Sequence, residues 1–435
     1  MNLYDVIIKD VNKKSIKELS KLAVWKKIFS NKTYDDARFR KYFSDLLKLI
    51  TGYLTQQSYE ADQLYSASHL IKAAEKKGID TLYQSSIRNA RNLSNKVQSL
   101  SAHYFFHQYK IEDFIFEVSD YESNRDVKPN YEQIMVNLDY FFLAEKLRLY
   151  AGMLSRQRMS AYKYDVYFID EVMDYVSKNL KTVTSNVEIW YRICLTYIEV
   201  ENTENYNSLK TLLEAHAEEF TKEESYHKHM ELINYCIKRV RLGNDSFVLE
   251  MFDLYKMMIS NKVIYIDDLL SAALFKNIIS VSTRLKEFKW AENFIEANKQ
   301  YLPEDQKENM VTFNLAMLAY QQKKHSKVIE LLREVEYSDI SLSLQSKTIL
   351  LMTYYDTDEY DPLEFLLESF RVYLNRHKEI PQHRKDYFKN LIKFTKKLTK
   401  IIPGDKTAVA KIKQEIEATE GFRVKWLEEK IAELE

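Results

Sequence analysis

His103 and His107 stand four apart in the run His-Tyr-Phe-Phe-His, a spacing that puts both imidazoles on one face of a helix, as a metal ion would require. No Glu follows His103 and no third ligand lies within reach by sequence, so an ordinary pair at the edge of an aromatic face is expected. His227 and His229 are two apart and diverge on a helix, so both are expected in solvent. Asp170 and Glu171 are adjacent and also diverge, which begins a charged outer face rather than an acid/base pair. Cys194 and Cys236 are the two cysteines of the chain. Neither has Cys-x-x-Cys spacing, and both are expected as reduced core thiols. There is no Gly-x-Ser-x-Gly and no phosphate loop, and the glycines fall singly at 52, 78, 152, 243, 404 and 421, although such loops need Gly for close backbone approach. These residues predict no enzyme, no resident metal and no cofactor; an enzyme with a site dispersed over several helices is the least favoured reading.

The elements that carry them follow from punctuation and period. Only 6 Gly and 5 Pro occur in 435 residues, too few to turn the chain at each hairpin or βα corner of a sheet protein. Apolar residues recur at three- and four-residue steps nearly throughout, as in Phe39, Tyr42, Phe43, Leu46, Leu47, Ile50, Tyr53 and Leu54, which is the stripe of a helix from Asp35 to about Gln57. Further helices are expected over Ser15 to Ser30, Tyr59 to Lys77, and as a pair covering Asp80 to Val118. The polar stretch 119–130 breaks the pattern and predicts a boundary or long loop. Helical pairs follow: 130–157 with 165–180, 186–201 with 205–220, 223–242 with 246–261, 265–284 with 287–301, 305–322 with 325–336, and 342–356 with 361–376. Two last helices, 380–401 and 406–434, complete the chain. The expected division is therefore an N-terminal helical bundle over 1–125, a repeat array over 130–376, and capping helices over 377–435.

Lys+Arg and Asp+Glu balance at 64 each, so no global field draws nucleic acid or anionic membrane. Charges at Asp5, Lys9 and Asp10 interrupt the first apolar stretch, unlike a secretory signal, and no uncharged run is long enough for a membrane span. A cytoplasmic protein without membrane insertion is expected.

The pairs repeat in register. Ala291 opens a second helix with a small residue, and Pro303 follows 12 residues later, the spacing of a tetratricopeptide repeat. Equivalent positions are Val328 and Leu363, giving steps of 328 − 291 = 37 and 363 − 328 = 35, near the period of about 34 residues in that repeat. The expected fold is all-α, a right-handed α-solenoid of such hairpins behind the N-terminal bundle. Its concave groove would take a protein or peptide partner on first-helix positions Lys276, Ser280, Arg284, Phe313, Asn314, Met317, Tyr320, Gln345, Thr348 and Tyr355. The rival placement for Phe313, Met317 and Tyr355 is packing between hairpins.

The runs LKEFKWAENFIEANKQYLP, NLAMLAYQQKKHSKVIELLREV and TYYDTDEYDPLEFLLESFRVYLNRHKEIP resemble the C-terminal half of uncharacterised tetratricopeptide-like proteins of Bacteroidetes. The terminal KWLEEKIAEL and the early VWKKIFSNKTYDDARFRKYFSDLLKLI are similar to the same group, whose members often carry a longer helical stretch ahead of the early segment. The resemblance implies a right-handed helical solenoid used for binding, with no assigned reaction. Some tetratricopeptide arrays grip a terminal carboxylate with Lys and Asn of adjacent first helices. Lys276 and Asn314 match those positions, whereas Ser280, Gln345 and Ile349 do not supply the Asn, Lys and basic group of the motif, so no clamp is expected.

The alternative is a DNA-associated regulator. Residues 1–57 hold 12 basic and 6 acidic residues, 12 − 6 = +6, and short helices there could form a helix-turn-helix-like unit with Arg38, Lys41 and Lys48 toward a groove. Asp35, Asp36 and Asp45 on the same helix repel phosphates, so nucleic acid is not the favoured partner. A second basic run, Arg384 to Lys400, has 7 basic residues against Asp386 and is expected to spread round a helix and to pair with the Glu-rich final helix.

Overall fold

The computed structural model describes residues 20–29, 32–97, 100–118, 126, 128–157, 164–333 and 339–435. Among them are twenty α-helices, two short 3-10 turns and one isolated β-bridge, with no strand. The expected all-α class is what the chain adopts. The helix expected over Ser15 to Ser30 is described only in its second half, and most of the 119–130 break lies outside the described residues.

Two compact units divide at Thr221 and Lys222, inside the stretch expected as one array. The first holds α1 (Lys21–Ile28), α2 (Asp36–Ala61), α3 (Gln63–Lys76), α4 (Asp80–Ser94), α5 (Ala102–Val118), α6 (Tyr131–Gln157), α7 (Ile169–Lys178), α8 (Ser185–Ile198) and α9 (Thr203–Ala215). Asp35, Asp62, Thr184 and Asn202 start their helices by accepting a backbone N–H with the side chain, which satisfies donors that a helix N-terminus leaves open. Trp25, Val24 and Phe39 join α1 to the start of α2, whereas Leu64, Ala67 and Ile71 of α3 pack with Ile111, Phe114 and Ile115 of α5. From Phe43 to Leu54 the apolar stripe of α2 is exposed except at the half-buried Leu46, so it is a helix as expected but not a buried one over that length.

The second unit holds α10 (Lys222–Arg241), α11 (Ser246–Ser260), α12 (Ala272–Arg284), α13 (Phe288–Asn298), α14 (Glu304–Gln321), α15 (His325–Leu332), α16 (Ile340–Asp356), α17 (Tyr360–Arg376), α18 (Gln382–Leu398), α19 (Lys406–Glu417) and α20 (Lys425–Glu433). Each first helix of the pairs α12/α13, α14/α15 and α16/α17 packs on its own second helix, and α14 also packs against both α12 and α16. Ala291, Val328 and Leu363, the register positions of the second helices, are all buried.

The repeat is also written in the backbone. Lys286, Lys323 and Asp358 have left-handed φ of 62°, 58° and 57°, at steps of 323 − 286 = 37 and 358 − 323 = 35, the same steps as the buried register positions. After each, an N–H reaches back across the helix end: Glu287 to the Ser282 carbonyl at 2.9 Å, Lys324 to Ala319 at 2.8 Å, and Glu359 to Tyr354 at 2.9 Å. This is the Schellman closure, whose left-handed residue is ordinarily Gly. Lys286 and Lys323 are exposed, so Lys286→Gly and Lys323→Gly are each expected to raise stability by about 0.5–1 kcal/mol, the strain removed exceeding the added chain entropy. Urea unfolding measures this, and a loss of stability would contradict the assignment of strain.

Two boundaries of the second unit depart most from expectation. Residues 265–271 do not begin α12: Asp267 and Asp268 both have positive φ, and Ile266 bridges Leu269, the geometry of a primed tight turn. Ser271 then caps α12 through its hydroxyl at 3.2 Å from the Leu274 N–H. The long final helix expected over 406–434 is two helices, because Gly421 takes φ 69° and Phe422 turns into the core against Phe394 and Tyr387.

Candidate functional site

The first helices α12, α14 and α16 start side by side around a cleft of about 520 Å³, lined by Ala273 and Lys276 of α12, Asp305, Gln306 and Asn309 of α14, and Ser341 of α16 with Asp339 just before it. Lys276 reaches over α14 to place Nζ 3.4 Å from Gln345 Oε1. It is the one base among the described residues of the lining. The cleft therefore combines one cation, two carboxylates and several amide and hydroxyl groups, suited to reading a peptide's backbone and an acidic side chain.

The expected groove residues separate into three groups. Lys276, Ser280 and Arg284 remain accessible on α12, with Arg284 paired to Asp245 at 2.7 Å. Gln345, Thr348 and Met317 are half-buried, and the Thr348 hydroxyl donates to the Leu344 carbonyl of its own helix at 2.8 Å. Phe313 and Asn314 face the core, 1% and 0% exposed, and drop out of the groove. Asn314 donates its amide to the Met310 carbonyl at 2.7 Å, which removes the second half of any carboxylate clamp.

Tyr320 and Tyr355 are not open either, because α20 lies over them. Asp356, at the end of α16, accepts from the Tyr320 hydroxyl at 3.2 Å and the Trp426 indole at 3.2 Å, and pairs with Lys430 at 3.1 Å. The Trp426 ring meets Tyr355 edge-on at 5.2 Å. Burial, then the Asp356 carboxylate, pushes the Tyr320 phenol far up, and burial raises Tyr355 to about 12. For Lys430 burial opposes the charge, but hydrogen bonds to Glu433 and Asp356 outweigh it and raise the ammonium. Sequence reasoning placed the Tyr residues on first helices and expected the C-terminal segment to shield the last apolar face of the array, but it did not foresee the attachment of Trp426 and Lys430 to Asp356, because that segment was expected as one long helix.

No family model, curated protein or solved structure matches this chain. The chemistry must therefore be read from the residues themselves. The basic run on α18 lines a second cleft, of about 970 Å³, where Lys389, Lys393, Lys396, Lys397 and Lys400 face Asp361, Glu364 and Glu368 of α17. Lys396 pairs with Glu364 at 3.0 Å and Lys397 with Glu415, so acidic neighbours compensate part of the charge. In the N-terminal region, Asp36 takes both Lys21 and Arg40, and Arg38 lies on the Tyr42 ring. No helix among the described residues is long and apolar enough to cross a membrane.

The remaining candidates resolve as follows. Asp170 and Glu171 are exposed, and Cys194 and Cys236 are buried thiols. His227 is exposed as expected, but His229 is 5% exposed, its Nδ1 2.7 Å from the Ser225 carbonyl oxygen; a two-residue step on a helix places one ring outward and the other inward. The largest departure concerns His103 and His107. A third group does reach them: Asp62, the N-cap of α3, lies 3.3 Å from His103 Nε2 and 3.2 Å from His107 Nε2 through the same oxygen. Burial holds the His107 imidazole below its ordinary pKa against the opposing pull of Asp62.

Proposed function

We propose that this chain is a non-catalytic tetratricopeptide-like scaffold, a right-handed helical solenoid in its 265–376 hairpins, that binds an extended peptide or partner helix across its first helices. The observation that carries this reading is the cleft shared by the starts of α12, α14 and α16, with Lys276 as its cation. Three hairpins in one register put their first helices side by side, and only a ligand that runs across them meets all three. The resemblance to tetratricopeptide-like proteins of Bacteroidetes supports the same role, in the cytoplasm.

The test uses a displayed library of random peptides selected on the purified full chain, followed by fluorescence anisotropy of the enriched peptides. Lys276→Glu is expected to weaken them at least tenfold, about 1.4 kcal/mol, with an unchanged melting curve because the side chain is only half-buried. Peptides that bind the variant equally well, or no enrichment at all, would reject this cleft as the binding surface.

A further inference from the structure

We propose that Asp62, His103 and His107 form a site for one divalent ion of the zinc class, held between the start of α3 and the start of α5. The donors are Asp62 Oδ2 and the two Nε2 atoms. Their separations are 3.0 Å between the imidazole nitrogens and 3.3 and 3.2 Å from each to the carboxylate oxygen. A tetrahedral ion with bonds of about 2.0–2.1 Å sets its ligand atoms roughly 3.3 Å apart, so the three atoms already outline one face of that polyhedron.

Two of the donors are aimed by something other than an ion. The two carboxylate oxygens of Asp62 have separate tasks, because Oδ1 accepts the Tyr65 N–H at 2.8 Å and caps α3, which leaves Oδ2 turned to the histidines. His107 is 2% exposed at its side chain and stands edge-on between the Tyr65 and Phe106 rings, at 6.0 and 5.4 Å. Its Nδ1 is buried without a hydrogen-bond partner among the described residues, so the polar contacts of the ring shown there rest on Nε2. His103 sits one turn earlier on α5 and is 68% exposed at its side chain. The side of the triangle formed by His103 is therefore open to solvent, where a water or a ligand atom completes the coordination.

Two imidazoles and one carboxylate make a borderline donor set that suits zinc or cobalt, whereas magnesium and calcium take oxygen ligands. Packing of Leu64, Ala67 and Ile71 against Ile111, Phe114 and Ile115 sets α3 and α5 at the distance the site needs, so the apolar core prepares the geometry before an ion enters. An ion there ties the two helices together and adds to stability by mass action.

The test is calorimetric titration of ZnCl2 into the chelator-stripped full chain, beside CoCl2 titration read by visible absorption. The wild type is expected to take up one equivalent of zinc, to ignore MgCl2, to melt higher with zinc, and to give the strong visible bands of four- or five-coordinate cobalt. Two variants preserve the fold. Asp62→Asn keeps a good N-cap residue, and His103→Ala alters an exposed side chain; each is checked by its metal-free melting curve. Both are expected to weaken zinc at least tenfold and to lose the zinc-dependent rise in melting temperature. Failure of the wild type to bind one equivalent, equal response to magnesium, or variants that bind as the wild type does would overturn the site. The last of these would leave the three side chains as a hydrogen-bonded cluster only.

Discussion

Asp356→Ala is expected to lower the stability of the second unit by about 3 kcal/mol, near the lower end of what removing one partner of a buried ion pair costs. The side chain of Asp356 is 12% exposed and that of Lys430 17%, so neither is well placed to exchange its partner for water. Without the carboxylate, the Lys430 ammonium keeps Glu433, while the Trp426 indole and the Tyr320 hydroxyl lose the Asp356 acceptor. Unsatisfied buried donors carry the full cost of their desolvation. Asp356→Asn retains an acceptor and removes the charge, so its loss is expected to be smaller. Lys430→Met is expected to cost about 1 kcal/mol, because two neutral donors still serve the carboxylate and the apolar stem is kept. Urea unfolding of the three variants gives the order Ala, Asn, Met in decreasing loss. A loss below about 1 kcal/mol for Asp356→Ala would show that α20 is held mainly by apolar contact.

What could be read from the sequence was what periodicity encodes. The three-residue and four-residue spacing gave the helices, and the second-helix positions Ala291, Val328 and Leu363 gave a register that the left-handed turns at Lys286, Lys323 and Asp358 repeat step for step. Those turns were not foreseen, since two of them place Lys where Gly is the usual signal. Pattern also cannot state which face of a helix a neighbour from elsewhere in the chain will cover. Spacing placed Asn314 on the groove, and Phe313 either there or between hairpins; both are buried, because α14 packs with helices on either side.

The histidine cluster shows the same limit more sharply. The four-residue step of His103 and His107 was visible, but Asp62 is 41 residues before His103 and joins them only through the packing of α3 on α5. One local signal was available: Asp62 precedes an apolar helical pattern as an N-cap residue does, and a capping carboxylate has a second oxygen to offer. Gly421 likewise could have marked the break before α20, as a glycine between two periodic stretches commonly does.

Trp426→Ala is expected to cost about 3–5 kcal/mol, the range for removing a large buried aromatic side chain. Trp426 is 7% exposed, stands edge-on to Tyr355 at 5.2 Å, and donates to Asp356. Since Asp356→Ala breaks the same attachment, the double variant is expected to cost about 1–2 kcal/mol less than the sum of the singles, the sign of residues that share one cluster. Hydrogen exchange locates the effect. Amides of α20 and of the 418–424 turn are expected to exchange faster in the variant, while those of α14 and α16 keep their protection, because α20 forms the last layer over the Tyr320 and Tyr355 end of the first helices. Additive costs together with unchanged exchange in α20 would mean that the indole and the carboxylate act separately, and that the final helix does not move as a unit over the face it covers.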